Sequence, residues 1–234
     1  KGLNLTFETL DGLLKHNGPV KNIKKYDDIL ENNYLKKKIN FTNKPSLEAQ
    51  IASISDDIAY NSHDLEDGLN ANLFFLDDLL NIPVLNKIIL KHKTKLKYYS
   101  IDLVTRQIIR EIINEMVNDL IKTSKNNIKK YNLYNLNDIY KTKHKIVKFS
   151  KKMENFDKKI KNFLKKKMYN NKNVKTNTLK GKKIIRKLFY ALKKNPKKYI
   201  DVGKYNNSNI ERSICDFIAG MTDRYAINLY NKLK

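Results

Sequence analysis

Apolar residues recur every three or four positions along most of this chain, the interval that lines them up on one side of an α-helix, and runs that alternate apolar with polar positions are few. The pattern predicts an all-α fold. Thr6 or Asn4 is expected to cap a short helix through Leu14, stopped at the turn Asn17-Gly18-Pro19. A stretch rich in Lys, Asn and Tyr leads to Pro45-Ser46, where Glu48 and Gln50 close behind mark a helix start, with the helix running from about Leu47 to Gly68. Leu73 to Leu80 forms a short element and Pro83 opens the next. The clearest apolar stripe is Ile101, Val104, Ile108, Ile112, Met116 and Leu120, on a helix from Ile101 to Ile121. Residues 124–148 are expected as loop and short helix, Phe149 to Tyr169 as helix, and Asn170 to Gly181 as loop. A helix to about Lys194 follows, then a loop around Asn195-Pro196. A last helix is expected from Ser208 to Leu233, with Ile210, Ile214, Phe217, Ile218, Met221 and Tyr225 on one face.

Composition narrows the class. A chain of 234 residues can bury a core without staples. The single Cys215 excludes an internal disulfide and is expected in a reducing, cytoplasmic setting. The longest apolar runs are a few residues, well short of the roughly 20 that cross a bilayer, so no membrane role is expected. The net charge of +24 admits a nucleic-acid partner, but 43 of the 48 basic residues are Lys, as a general drift in composition would also produce.

One absence changes the picture. From Pro45 to Asn86, 42 residues, there is no Lys or Arg, where the average density of the chain would place about nine. Glu48, Asp56, Asp57, Asp64, Glu66, Asp67, Asp77 and Asp78 occupy that stretch. Such an island suits a carboxylate-held cation, a packed core, or a helix paired with lysines elsewhere. With about 100° per residue and Asp56 at zero, Ile54, Ile58, Leu65 and Leu69 fall at about 160–220° and form the core side. Asp56, Tyr60 and Asp64 fall at about 0°, 40° and 80°, with Asp67 and His63 beside them. The i, i+4, i+8 spacing sets the three groups about 6 Å apart along the axis, suited to successive parts of one ligand. His63-Asp64 is not a metal motif by itself, because on a helix the two side chains diverge by about 100°. His16, His92 and His144 are distant in sequence.

Three blocks carry a resemblance: Gly2-Leu-Asn-Leu-Thr-Phe-Glu-Thr-Leu-Asp-Gly-Leu-Leu-Lys-His-Asn-Gly-Pro19, the segment Pro45 to Asp64 with Asp-Asp-Ile-Ala-Tyr, and Phe217-Ile-Ala-Gly-Met-Thr-Asp-Arg-Tyr-Ala226. With weaker similarity at Phe149-Ser150, Met153 and Phe163 to Tyr169, the chain resembles the bacterial deoxyguanosinetriphosphate triphosphohydrolase-like proteins, HD-superfamily deoxynucleotide triphosphohydrolases. The resemblance implies an HD-domain-like helical bundle and a homo-oligomer. It also implies hydrolysis of a deoxynucleoside triphosphate to deoxynucleoside and intact triphosphate, with water attacking the α-phosphorus. It makes Asp56 the last protein ligand of a divalent metal ion, Mg or Mn, lays Tyr60 on the deoxyribose and has Asp64 accept a hydrogen bond from its 3′-hydroxyl. The family's early His and His-Asp pair have no counterpart here, so the chain is expected to be the C-terminal part of such an enzyme. Residues 1–123 would be the remainder of its catalytic core and residues 124–234 a helical region packed on it.

Among cations, Lys15 in the first block is a candidate triphosphate contact. Arg224, one turn after Gly220 at the edge of the last apolar face, is another, since Arg supplies a planar fork for phosphate. Arg106 and Arg110 lie one turn apart on the long helix. No catalytic acid or base is assigned. Two other functions fit the composition: a basic helical nucleic-acid-binding module and a non-catalytic partner subunit. A continuous stripe of lysines favours the nucleic-acid module, whereas scattered lysines do not.

Overall fold

The computed structural model describes residues 3–22, 26, 40–200 and 210–233. Among the described residues there are ten α-helices and no strand, so the fold is all-α. The chain forms two compact units, Lys1–Lys167 and Met168–Lys234.

The first unit holds α1 (Phe7–Lys15), α2 (Leu47–Asn70), α3 (Pro83–Lys93), α4 (Ile101–Lys130), α5 (Leu136–Lys141) and α6 (Lys151–Leu164). Local signals start most of them: the side chains of Thr6, Ser46, Ser100 and Ser150 accept from backbone N–H groups three residues on. Each such cap is worth about 1 kcal/mol. The helix α2 packs on α1, α4 and α6, burying Ile54, Ile58 and Leu65, the side expected from periodicity. It ends in a left-handed residue, Asn72 at φ 52°, with Leu73 N–H bonded to the Gly68 carbonyl and Asn72 N–H to that of Leu69. Gly68 is required by packing. A Cβ there would overlap the ring of Phe74, which is itself held edge-on to Phe163 of α6 at 4.9 Å between centroids.

Several expected boundaries move. The helix expected to stop near Ile121 continues to Lys130, because Asn127 is buried and donates to the Ile146 carbonyl at 2.8 Å, making the polar stretch part of the packing. The 123/124 division falls inside this helix. Ile101, first of the expected stripe, is exposed, while Val104, Ile108, Ile112, Met116 and Leu120 are buried. Leu73 to Leu80 shortens to a single 3-10 turn, Leu76–Leu79. After α6 the backbone widens into a π-helical turn, Lys165–Tyr169.

In the second unit, α7 (Lys172–Lys194) packs on α9 (Ile210–Ala219) and α10 (Asp223–Lys232), with the short α8 (Pro196–Tyr199) after it. Leu192, Ile200 and Ile214 form its core, with Phe217, Ile218 and Met221 against them. Where a loop is expected from Asn170 to Gly181, α7 is already helical from Lys172. The expected last helix is two: it breaks at Gly220-Met221-Thr222, where the Thr222 hydroxyl accepts from Tyr225 N–H and caps a new helix. Its expected start, Ser208, lies outside the described residues. Because the break resets the register, Tyr225 leaves the apolar face and is exposed. Among the described residues no helix is long and apolar enough to cross a membrane.

Candidate functional site

The face of α2 that carries Asp56, Tyr60 and Asp64 lies opposite its core side, and its azimuth is set by polar anchors along one edge. Asn61, almost wholly buried, donates from Nδ2 to Asp157 Oδ1 of α6 at 2.7 Å. Lys161 Nζ, one turn beyond Asp157, lies 3.0 Å from Asp157 Oδ2 and 3.3 Å from Asp57 Oδ2. Burial opposes the Lys161 charge, but the hydrogen bond to Asp157 and the carboxylates of Asp157 and Asp57 outweigh it and hold the ammonium above the usual lysine range. At the start of the helix, buried Gln50 donates to the Pro45 carbonyl at 3.0 Å and accepts from Val147 N–H at 3.2 Å. Both ends of its amide are thus satisfied, as burial demands.

With α2 so held, Asp56 is exposed, Tyr60 is 58% exposed and Asp64 is half-buried. Asp56 lines a cleft of about 880 Å³ walled by α1, the first turns of α2, and α5. Glu8, Glu48, Asp56 and Asp57 contribute carboxylates to that lining, and no Lys or Arg does. The cleft is therefore anionic and attracts cations, and a triphosphate would need positive charge brought with it or supplied from elsewhere. Tyr140 closes one side. Burial, then the charges of Asp11, Glu8 and Glu48, push its phenol above the ordinary tyrosine range.

His16 also lines this cleft, 40 residues from Asp56 in sequence, and spacing along the chain gave no sign of it. Its Nδ1 is 2.7 Å from the Leu13 carbonyl, which can only accept, so Nδ1 carries the proton. Nε2 lies 2.8 Å from Asn17 Nδ2, so both ring nitrogens have partners. The one hint in the sequence was the place of His16 inside the block that ends Asn17-Gly18-Pro19. His63, by contrast, is exposed on α2.

Lys15 is buried, its Nζ 2.6 Å from Asp11 Oδ1 and 5.9 Å from the Tyr140 ring centroid. Its ammonium is committed inside the fold and does not reach into the cleft lining. Arg224 belongs to the second unit, exposed in the first turn of α10. Gly220 lies in the break before that helix, so Gly220 and Arg224 do not share one continuous helical face. Arg106 Nε stands 3.9 Å from Glu66 Oε1, a loose pair between an exposed arginine and a half-buried glutamate.

For the divalent ion the donor set is short. Among the described residues no group of three or more His, Cys, Asp or Glu side chains is placed to hold a metal ion. Asp56 offers one carboxylate, and these residues by themselves do not fit a metal centre.

Comparison with known proteins extends the resemblance seen in the sequence blocks. Residues 147–232 match the family model of a phosphohydrolase-associated domain. A deoxyguanosinetriphosphate triphosphohydrolase-like protein of Pelagibacter ubique (strain HTCC1062) is 50% identical over 229 residues, covering 98% of this chain and 62% of the relative. Proteins of the same name from Caulobacter vibrioides and Bartonella tribocorum are 34% and 37% identical, over 99% of this chain and 61% and 60% of their own lengths. The chain thus spans about three fifths of the relatives it matches. Along nearly its whole length, therefore, this chain is similar to the deoxyguanosinetriphosphate triphosphohydrolase-like proteins, and its C-terminal part matches a phosphohydrolase-associated domain.

Proposed function

We propose that this chain supplies one wall of the active site of a deoxynucleoside triphosphate triphosphohydrolase. The observation that carries the reading is the single face of α2. Asp56 stands there at the rim of an anionic cleft, and Tyr60 and Asp64 follow one and two turns along. In this reading Asp56 gives one ligand to a divalent ion, Mg or Mn, and the complete protein gives the others. Tyr60 presents its ring to the deoxyribose, where a 2′-hydroxyl would crowd it. Asp64 accepts from the 3′-hydroxyl. His16 lines the same cleft, and its Nε2 would have to leave Asn17 to meet a substrate group.

Water attacks the α-phosphorus and its oxygen stays with the triphosphate. The bond to the 5′-oxygen breaks, and that oxygen leaves with the nucleoside and takes up a proton. Lys15 and Arg224 remain candidate phosphate contacts, Lys15 only by leaving Asp11. The reading carries with it a homo-oligomer and the cytoplasmic nucleotide pool.

Product analysis tests it. The complete protein, given a mixture of the four deoxynucleoside triphosphates and Mg or Mn, is expected to release intact triphosphate and deoxynucleosides in equal amounts. Orthophosphate or pyrophosphate as the primary product would contradict it.

A further inference from the structure

Apart from half-buried Val174, the first half of α7 is exposed, so burial decides little about which residues stand where. Its cations are nevertheless segregated. With Lys172 at zero, the eight lysines and one arginine of α7 fall within an arc of about 160°, from Lys182 at about −80° to Lys180 at about +80°. The exposed positions on the other side hold Asn173, Asn177, Thr178, Gly181 and Ile185. A chain merely drifting toward lysine would place it all round such a helix. The stripe runs the length of α7, about 33 Å. No Asp or Glu occurs from Lys158 through Ile200. Among the described residues only Lys193 of the stripe meets a carboxylate, that of Glu211.

Aromatic surface lies within and beside this stripe. Tyr190 falls at about 0°, in its centre, and is 60% exposed. Along the edge marked by Lys182 and Arg186 runs a mainly apolar cleft of about 710 Å³ whose lining includes Ile185, Phe189, Tyr190 and Ile218. Cations at helical intervals, an exposed ring among them and an apolar trough alongside match a strand of phosphates with unstacked bases. An anionic bilayer is the poorer match, because Leu188 and Leu192 of α7 are fully buried, leaving no broad apolar side to insert.

We propose that the α7 face binds single-stranded nucleic acid, its lysines and Arg186 along the backbone and Tyr190 stacked on a base. The proposal does not depend on the hydrolase reading.

Anisotropy of a fluorescein-labelled 20-nucleotide single-stranded DNA of mixed sequence, titrated with the full chain at several salt concentrations, tests it. The triple variant Lys175→Glu/Lys182→Glu/Lys183→Glu is expected to weaken binding at least about tenfold at fixed salt. An equal charge change on α4, Lys122→Glu/Lys125→Glu/Lys129→Glu, is expected to weaken it less than about threefold. The neutral triple Lys175→Gln/Lys182→Gln/Lys183→Gln is expected to lower the log–log salt slope by about 2. Tyr190→Ala is expected to cost about fivefold or more with the slope unchanged. Circular dichroism confirms that the variants keep their helicity. Equal losses in the α7 and α4 triples, or no binding at low salt, would overturn the proposal. So would displacement of the DNA by polyglutamate or by phosphatidylserine vesicles as effective as displacement by unlabelled DNA.

Discussion

Asp56→Ala in the complete protein is expected to reduce triphosphate release at least about a hundredfold while leaving the unfolding midpoint unchanged. The two halves of that expectation have separate causes. Asp56 is exposed on the side of α2 away from the core, and no hydrogen bond or ion pair joins its side chain to another described residue, so the fold loses no side-chain contact of that kind with it. The cleft it lines has carboxylates and no cationic side chain, and in the proposed function the Asp56 carboxylate would hold a cation against the negative charge of the substrate. Steady-state turnover measured beside a thermal melt separates the two. Turnover within about threefold of the parent would remove Asp56 from the site.

Lys15→Met is expected to act in the opposite way, lowering stability by about 3–5 kcal/mol because it strands the buried Asp11 carboxylate without a partner. The pair is i, i+4 on α1 with both side chains nearly inaccessible, 3% and 6%, so solvent screens it little. Replacing both partners, Asp11→Leu/Lys15→Met, is expected to recover most of the loss, since an apolar pair of similar volume leaves no charge behind. Urea unfolding of the two variants measures this, and a single variant as stable as the parent would contradict it. The double variant also decides the functional question. A stable double variant with full turnover would make Lys15 a purely structural residue, and a stable one with raised KM would give it a phosphate contact.

Legibility in the sequence followed the range over which each feature is determined. The starts of α1, α2 and α3 lie at Thr6, Ser46 and Pro83, where a cap or a proline acts within one turn, and these were legible. So was the core side of α2, because Ile54, Ile58 and Leu65 repeat at helical intervals. The far end of α4 was not, since its continuation depends on Asn127 meeting a carbonyl 19 residues away. The beginning of α7 carries almost no apolar pattern: its exposed residues extend a helix anchored by Leu188 and Leu192. The break at Gly220-Met221-Thr222 was hidden by apolar residues that keep helical spacing across it, although the Thr222 cap was there to be seen. At the candidate site, the face of α2 could be laid out from spacing alone. The approach of His16 to Asp56 could not, because it depends on how α1 packs against α2.

The contact between Asp64 and the sugar can be measured by changing both partners. For the complete protein, kcat/KM for a deoxynucleoside triphosphate is compared with that for its 2′,3′-dideoxy analogue, in the parent and in Asp64→Ala. A hydrogen bond to a charged acceptor is worth about 1.5–3 kcal/mol, so the parent is expected to prefer the substrate bearing the 3′-hydroxyl by about 10- to 100-fold. In Asp64→Ala that preference is expected to fall to about onefold, because neither substrate then has an acceptor to meet. A preference that survives Asp64→Ala undiminished would mean that the α2 face does not hold the sugar.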